Sequence, residues 1–564
     1  MAAVRIDVQC FEAFEQLMQN SLLSPAEEVA FLGELDFDTI KVEDASMAQE
    51  AAHLTKLLYT TRLSKYASPK TLAEATEDLS THYNLADNHD LLLTRAETLY
   101  TQCRFNEALA ITTRILNSSS AADGHDESSA DARVSLGHNP NLYPLHVAAL
   151  YETGAHNTLF HLSHTLATNA PHEAYTYLAI GTYYLSIGKI AQARRFFSKA
   201  STMDSHSAPA WIGFAHTFAA EGEHDQAIAA YSTAARLFQG SHLPNLFLGM
   251  QHLALNNMQL AWEYCTAAFA MSSGAVKKED TSAIASLIFD SPHTLTGDPL
   301  VINELGVILY HQSSLPTAAH VFKRSLEVAA QLGCDMTAWV ATRANLGHVL
   351  RRMHKLDEAL QEFDECLRVV TGGAGSIVGQ HGGNGESSIQ AMKSAMVVGG
   401  VSSGAYGTYG ASSGYEEQNL LGSLHTSRGL VLLSMMTRTQ DAAMALHEAV
   451  RVLGGDAGGG GVAGTLLNRA MEIWAMEESG PHDDSDDNDD DDEDSDEDGV
   501  GDDDIIQALP SQYRARKARP NAMYDNFMMN ERPAESRDTF IQDELDRDAD
   551  RVIEAALDGV RRVI

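Results

Sequence analysis

The sequence predicts an all-α fold: a superhelical solenoid of antiparallel helix hairpins, interrupted by disordered Gly-rich and acidic insertions. The first observation behind this prediction is a set of five residue columns that recur every 34 positions between residues 143 and 271. The second is apolar spacing of helical period in other segments. The third is a hydrophobic content of 44%, which is enough for a sizeable core.

Each 34-residue line has an early aromatic residue, a small residue four positions later, and then alanine, a larger residue and alanine. This is the tetratricopeptide (TPR) pattern. A small residue such as Gly181 lets two helix axes approach, and Phe197 fills the space beside them. We predict that the following residues pack the repeats: Tyr177, Gly181, Ala193, Phe197, Ala200, Trp211, Ala227, Tyr231, Gly306, Ala318, Phe322, Gly347, Ala359 and Phe363.

The same signals divide the chain into segments. We predict N-terminal helical hairpins of degenerate TPR type at 1–88, TPR arrays at 89–271 and 299–370, an insertion at 272–298, a Gly/Ser-rich flexible insertion at 371–415, a degenerate TPR at 416–453, a Gly-rich and acidic disordered region at 454–539, and a C-terminal amphipathic helix at 540–564. Insertions at the loops of a solenoid are tolerated because the cost of loop closure grows slowly with length.

Composition argues against several classes of function. The formal net charge is −38, which disfavours nucleic acid and anionic membranes as partners. No stretch of about 18 apolar residues occurs, so we expect no membrane span. The five cysteines are scattered and form no CxxC pair, which indicates reduced thiols in a soluble intracellular protein.

Catalytic and cofactor motifs are also missing from the sequence. The glycine-rich stretch GGAGSIVG is not followed by Gly-Lys-Ser/Thr, and its spacing does not fit GxGxxG. No HExxH or GxSxG signature is present. We therefore expect no catalytic residue, no metal and no cofactor, and a protein that is not an enzyme.

An acidic tract of 16 acidic and no basic side chains spans residues 483–504 and contains Ser485 and Ser495. These serines are candidates for phosphorylation by an acidophilic kinase, although such a run is usually simply solvated. The cluster Arg514, Arg516, Lys517 and Arg519 follows it. A nuclear import signal and pairing with the acidic tract are equal interpretations of that cluster.

The inner surface of the solenoid is the predicted binding surface, because first helices of TPR hairpins line a concave groove that accepts a peptide. Helical geometry places eight residues there: His216, Met250, Asn303, Val307, Tyr310, Asn345, His348 and Arg351. Amide and guanidinium groups suit a peptide backbone, while apolar neighbours suit side chains. Some of the eight could instead only stack one repeat on the next.

Several stretches resemble one family within the TPR proteins. They are LYPLHVAALYETGAHNTLFHLSHTLATNAP (142–171), ARRFFSKASTMD (193–204), PAWIGFAHTFAAEGEHDQAIAAYSTAARLFQGSHLP (209–244) and NLGHVLRRMHKLDEAL (345–360). They resemble subunit six of the anaphase-promoting complex, the cell-division-cycle-sixteen type of TPR protein. The segments EHDQA, SHLP and NLGH sit at that family's spacing and are not general TPR consensus.

The resemblance implies a non-catalytic scaffold in a ubiquitin ligase of the cell cycle, present in nucleus and cytoplasm. It implies homodimers formed through the N-terminal repeats, within 1–88, and stacking with other TPR subunits of the complex. It also implies a small accessory subunit in the C-terminal groove, where Asn345, Gly347 and His348 fall. Trp211 and Phe214 would belong to the family's repeat core.

A TPR adaptor of a chaperone or transport complex is the alternative. A clamp for a chaperone tail needs several Lys and Arg side chains facing one groove, so that they grip a terminal carboxylate. The repeats offer mainly His, Asn, Met and Tyr, with basic residues grouped at Arg351 and Arg352.

Overall fold

The computed structural model describes residues 1–40, 47–66, 69–121, 140–273, 297–371, 413–435, 438–453 and 460–478, and these residues form helices joined by turns. The N-terminal helices are α1 (Ala2–Ile6), α2 (Phe11–Gln19), α3 (Pro25–Glu34), α4 (Ala48–Thr61) and α5 (Pro69–Thr81). Helix pairs follow: α6 (His89–Thr101) and α7 (Phe105–Ala121), α8 (Leu142–Glu152) and α9 (His156–Asn169), α10 (Ala174–Ser186) and α11 (Ile190–Met203), α12 (Ala208–Ala220) and α13 (His224–Leu237), α14 (Leu243–Ala254) and α15 (Met258–Ser273).

The array continues after the first predicted insertion. Its helices there are α16 (Pro299–His311) and α17 (Leu315–Gln331), α18 (Val340–Arg352) and α19 (Leu356–Val370), α20 (Ser413–Met435) and α21 (Thr439–Leu453), and finally α22 (Gly460–Glu478). Within each pair the two helices pack on each other, and each second helix packs on the first helix of the next described pair. The all-α TPR solenoid is confirmed.

Helix ends follow local chemistry. Ser24 and Glu27 form a capping box at the start of α3, with Pro25 in its first turn. Asp298 accepts a hydrogen bond from the Leu300 amide at 2.9 Å and so caps α16. Side-chain oxygens thus satisfy amides that have no partner inside the helix.

The turn inside a hairpin repeats as regularly as the helices. A residue with positive φ recurs at 34-residue intervals: Gly154 (65°), Gly188 (75°), Gly222 (75°) and Asn256 (60°). Glycine and asparagine tolerate this left-handed conformation best, because other side chains clash with the backbone there.

In several hairpins the core contains a contact between a glycine of the first helix and a side chain of the second. A Cβ placed on Gly181 would lie 3.0 Å from the Phe197 ring, and one on Gly306 would lie 2.8 Å from the Phe322 ring. Gly249 faces the sulfur of Cys265 instead, at 2.4 Å from its hypothetical Cβ. The helices therefore approach more closely than an ordinary side chain would allow.

Contacts between distant parts of the chain close the superhelix. The Asp335 amide donates to the Gln102 carbonyl at 3.0 Å, so the turn after α6 meets the turn after α17. Cys103 and Phe105 join the same apolar core as Trp339. Successive turns of the solenoid are therefore in direct contact.

The N-terminal helices have a core of their own and also dock on the array. Tyr59 is fully buried, stacks on Phe14 at 4.0 Å between ring centroids and donates to the Val8 carbonyl at 2.5 Å. The Gly240 amide donates to the Ser21 carbonyl at 2.7 Å, which joins this core to the turn after α13.

Two predicted boundaries need correction. The region 454–539 was predicted to be disordered, but this prediction is wrong for its first part, where α22 packs on α21 with Ala463, Leu466 and Ala470 buried. The prediction gave more weight to the glycines of this segment than to the helical spacing of its apolar residues. Helix α20 also begins inside the predicted insertion 371–415, at its last three residues. Residues 372–412, 479–539 and 540–564, with Ser485 and Ser495, lie outside the described residues.

We predict that Gly240→Ala detaches the N-terminal helices from the array. The new Cβ would lie 2.0 Å from the Leu23 carbonyl oxygen, a backbone atom that cannot rotate away. We expect destabilisation of about 1–3 kcal/mol, confined to residues 1–40 and measured by hydrogen exchange.

The matched control is Gly33→Ala in α3, where no described atom lies within 4 Å of the new Cβ. This variant should gain about 0.5–1 kcal/mol, because alanine favours a helix interior. Equal effects from the two variants would contradict the docking contact.

Candidate functional site

The eight groove residues predicted from the sequence lie on four successive first helices of the array. His216 is on α12, Met250 on α14, Asn303, Val307 and Tyr310 on α16, and Asn345, His348 and Arg351 on α18. We call the surface formed by these eight residues the inner groove. The repeat pattern aligns the four helices side by side, because each hairpin stacks on its neighbour in the same way.

The members of the inner groove differ in accessibility. Met250, Asn303 and Val307 are buried in the array, and Asn303 has no exposed surface at all. His216, Tyr310, Asn345, His348 and Arg351 are half-buried. The half-buried residues are therefore the ones that a partner could touch without opening the array.

Three polar atoms of the inner groove are buried without a hydrogen-bond partner among the described residues. They are Oδ1 of Asn303, Nδ2 of Asn345 and Nε of Arg351. Leaving such a group unpaired costs about 1–3 kcal/mol each. These atoms are enclosed in the array, so they are unpaired polar groups of its interior.

The two groove histidines are uncharged at neutral pH. Burial lowers the pKa of His216 to about 4, and its Nδ1 makes a hydrogen bond with the Tyr231 hydroxyl. Burial, helped by the nearby Arg351 charge, lowers the pKa of His348 to about 4. His348 also packs edge-on against the Phe363 ring at 5.1 Å. Positive charge in the groove therefore comes from arginine alone.

The neighbouring Arg352 is held by an aromatic ring. Its guanidinium lies 4.6 Å from the centroid of the Tyr310 ring, a cation–π contact between α18 and α16. Burial and the Arg352 charge both lower the pKa of His311. A groove with two arginines and neutral histidines differs from a clamp that grips a carboxylate with several cations.

The predicted packing residues fill the space between helices. Tyr177 is buried, and its hydroxyl accepts a hydrogen bond from Lys199 Nζ at 2.9 Å. Trp211 is half-buried and donates from its indole nitrogen to the Ser205 carbonyl at 3.1 Å. The remaining side chains are buried almost completely: Ala193, Phe197, Ala200, Ala227, Tyr231, Ala318, Phe322, Ala359 and Phe363. The glycines Gly181, Gly306 and Gly347 lie against the rings of Phe197, Phe322 and Phe363.

Comparison with known proteins agrees with this geometry. A tetratricopeptide repeat model matches residues 339–370. The chain is 40% identical to the anaphase-promoting complex subunit cut9 of Schizosaccharomyces pombe, over 66% of this chain and 48% of that protein. It is 31% identical to the human cell division cycle protein 16 homolog, over 65% of this chain and 52% of that protein.

A solved structure gives the deciding comparison. In the crystal structure of the APC/C hetero-tetramer Cut9-Hcn1, the matched chain is 34% identical to this one, with a TM-score of 0.56, over 83% of this chain and 71% of that chain. The chain belongs to the Cut9/CDC16 family of anaphase-promoting complex subunits. The resemblance drawn from the sequence is confirmed.

This member of the Cut9/CDC16 family spans about half the length of the curated relatives it matches. Within its described ranges, every helix is too short or too polar to traverse a bilayer. In the same ranges, no group of three His, Cys, Asp or Glu side chains comes together in a way that could hold a metal ion.

The sequence analysis missed Glu304, a buried acid beside the inner groove. Its position inside the apolar run VINELGVIL is the one sequence feature that indicates its burial. Asn303 Nδ2 donates to its Oε1 at 3.0 Å, while Oε2 is buried without a partner among the described residues. Burial raises the pKa of Glu304 to about 8, so the folded chain holds this carboxyl protonated at neutral pH.

We predict that Glu304→Gln stabilises the chain at pH 8 and changes little at pH 5. The unfolded carboxyl loses its proton near pH 4.5 and the folded one near pH 8, so the free energy of unfolding falls as pH rises through this window. Glutamine removes this penalty, which should amount to more than about 1 kcal/mol at pH 8.

Thermal unfolding of the full chain at both pH values measures the effect. The exposed Glu263 on α15 supplies the control Glu263→Gln, which should leave the pH dependence of wild type unchanged. A gain for Glu304→Gln that is equal at pH 5 and pH 8 would contradict the buried, protonated state.

Proposed function

We propose that this chain is a non-catalytic TPR scaffold subunit of the anaphase-promoting complex, supporting assembly of that ubiquitin ligase and ubiquitination during the cell cycle. The observation that carries the proposal is the match of 83% of the chain to a chain of the Cut9-Hcn1 structure at 34% identity. Its interior is filled by packing residues, which suits a scaffold. Location in the nucleus and the cytoplasm follows from this role.

The inner groove supports binding of a small accessory subunit. The half-buried side chains of Tyr310, Asn345, His348 and Arg351 are the ones that an inserted chain segment would contact. The related structure holds two named components, Cut9 and Hcn1, in one hetero-tetramer. We propose that an extended segment of the corresponding subunit lies along α16 and α18 of this chain. Other TPR subunits of the complex would pack on the outside of the solenoid.

The N-terminal helices support homodimerisation through 1–88. Ile6 is 86% exposed, and Leu22 and Met47 are each about half exposed. These three are the most accessible large apolar side chains among the described residues of 1–88, so they are the candidates for contacts across a protein interface. We propose that a second copy covers them.

The adaptor alternative has less support. Its clamp would need several cations, whereas both groove histidines are neutral and Arg352 is already stacked on Tyr310. We do not propose it.

We predict that affinity purification of the tagged chain from dividing cells recovers a cullin-like subunit, a RING subunit, other TPR subunits and a small accessory subunit. Arg351→Glu should reduce the amount of accessory subunit recovered at least several-fold and leave recovery of the TPR partners unchanged, because the charge reversal acts inside the inner groove. Arg195→Glu, at an exposed position of α11, is the control and should recover everything. Recovery of chaperones or transport factors alone would contradict the proposed function but not the TPR fold.

We also predict that Ile6→Asp combined with Leu22→Asp halves the molar mass of the chain in light scattering after size exclusion. Each aspartate places a charge where an apolar contact is expected, so dimer affinity should fall by a factor of ten or more. Met203→Asp is the control, because Met203 is 42% exposed on α11, away from the N-terminal helices. A monomeric wild-type chain, or dissociation by the control alone, would refute the proposed interface.

A further inference from the structure

The last described helix, α22, has the position of a first helix whose second helix is missing among the described residues. It packs along α21 and touches α20, as a first helix does when it stacks on the hairpin before it. In each described pair the first helix is followed by a second helix that packs along it. A TPR helix without this partner leaves an apolar face open.

The open side of α22 is the edge of a stripe at helical spacing, Gly464, Leu467, Met471 and Trp474, of which Leu467 and Trp474 pack in part against the main apolar core. Met471 is 51% exposed, and Leu467 and Trp474 are half-buried. No described atom lies within 4 Å of a Cβ placed on Gly464. On α20, by contrast, a Cβ on Gly429 would lie 2.5 Å from a Leu446 side-chain carbon of the covering helix. At Gly464 the stripe therefore lacks the cover that Gly429 has on α20.

The second helices of the array share a spacing. From α11 onward, each has alanine, a larger residue four positions on, and a small residue three positions after that. Examples are Ala193, Phe197 and Ala200; Ala227, Tyr231 and Ala234; Ala359, Phe363 and Cys366; and Ala442, Leu446 and Ala449. After residue 478 this spacing occurs once with a large apolar residue in the middle, at Ala549, Ile553 and Ala556.

The length of chain between the two elements permits them to meet. Residues 479–539 separate α22 from the segment 540–564. A linker of this length with random-coil dimensions would have an end-to-end distance of about 45 Å, more than the span of the 19-residue helix α22. The acidic tract lies within this linker and can remain in solvent.

We propose that residues 540–564 dock on α22 as the second helix of a terminal repeat, with Ile553 in the place that Leu446 takes in the preceding hairpin. Ala549 and Ala556 then allow the close approach that Gly464 permits from the other side. The docked segment then covers Met471 and the exposed part of Trp474, with its polar residues toward solvent.

Methionine oxidation by hydrogen peroxide tests this docking in the full chain. Peroxide converts an accessible thioether to a sulfoxide, with release of water, and mass spectrometry resolves each site. Met444 on α21 is the internal reference, since it is 58% exposed while Met471 is 51% exposed in the described structure. We expect Met471 to be oxidised at least five-fold more slowly than Met444.

Two substitutions, each to glutamine, make the test specific. Ile553→Gln should bring the oxidation rate of Met471 up to that of Met444, whereas Glu554→Gln, on the polar face, should leave Met471 protected. If the buried Met250 stays protected from oxidation in a variant, that variant keeps the folded array.

Three results would overturn the proposal. Oxidation of Met471 at the rate of Met444 in wild type would show an uncovered stripe. Protection that survives Ile553→Gln would assign the cover to another element. Protection that disappears when the protein is diluted would assign it to a second copy of the chain.

Discussion

The approach of two helices at a residue without a side chain is the constraint on which the rest of the structure depends. At Gly181, Gly306 and Gly347, the ring of the paired phenylalanine lies where a Cβ would otherwise begin. Because this contact fixes the distance between the helices of a hairpin, hairpins stack in a constant manner and first helices always line the inside. The position of the inner groove is therefore a consequence of core packing.

A second constraint acts between turns of the superhelix. The backbone hydrogen bond from Asp335 to Gln102 joins residues more than 230 positions apart, and Cys103 enters the same apolar core as Met250 and Val307. Short-range repeats determine the curvature, but this long-range contact determines how tightly the turns close. A solenoid closed in this way holds its inner surface in one shape, which suits recognition of a partner segment at low entropic cost.

The sequence predicts the features that recur in every repeat. It does not predict features that depend on contacts between residues far apart in the chain. The glycine and aromatic columns predict the fold, because each column records one close contact between neighbours, whereas the family resemblance rests on the segments EHDQA, SHLP and NLGH. The burial of Met250, Asn303 and Val307 could not be predicted, since groove width depends on closure of the whole array. Helix α22 was missed because its glycines suggested flexibility, and Glu304 was missed because a single acid in an apolar run has no periodic signal.

The electrostatics of the inner groove indicate how it would recognise a partner. His216 and His348 are neutral, and Glu304 is held protonated by burial, so few charges face the groove. The unpaired polar atoms of Asn303 and Asn345 are enclosed in the array, so contacts with an inserted segment would be made by the half-buried groove side chains. Hydrogen bonds between neutral groups respond weakly to ionic strength. Binding in the groove should therefore persist at salt concentrations that remove partners held by surface charge.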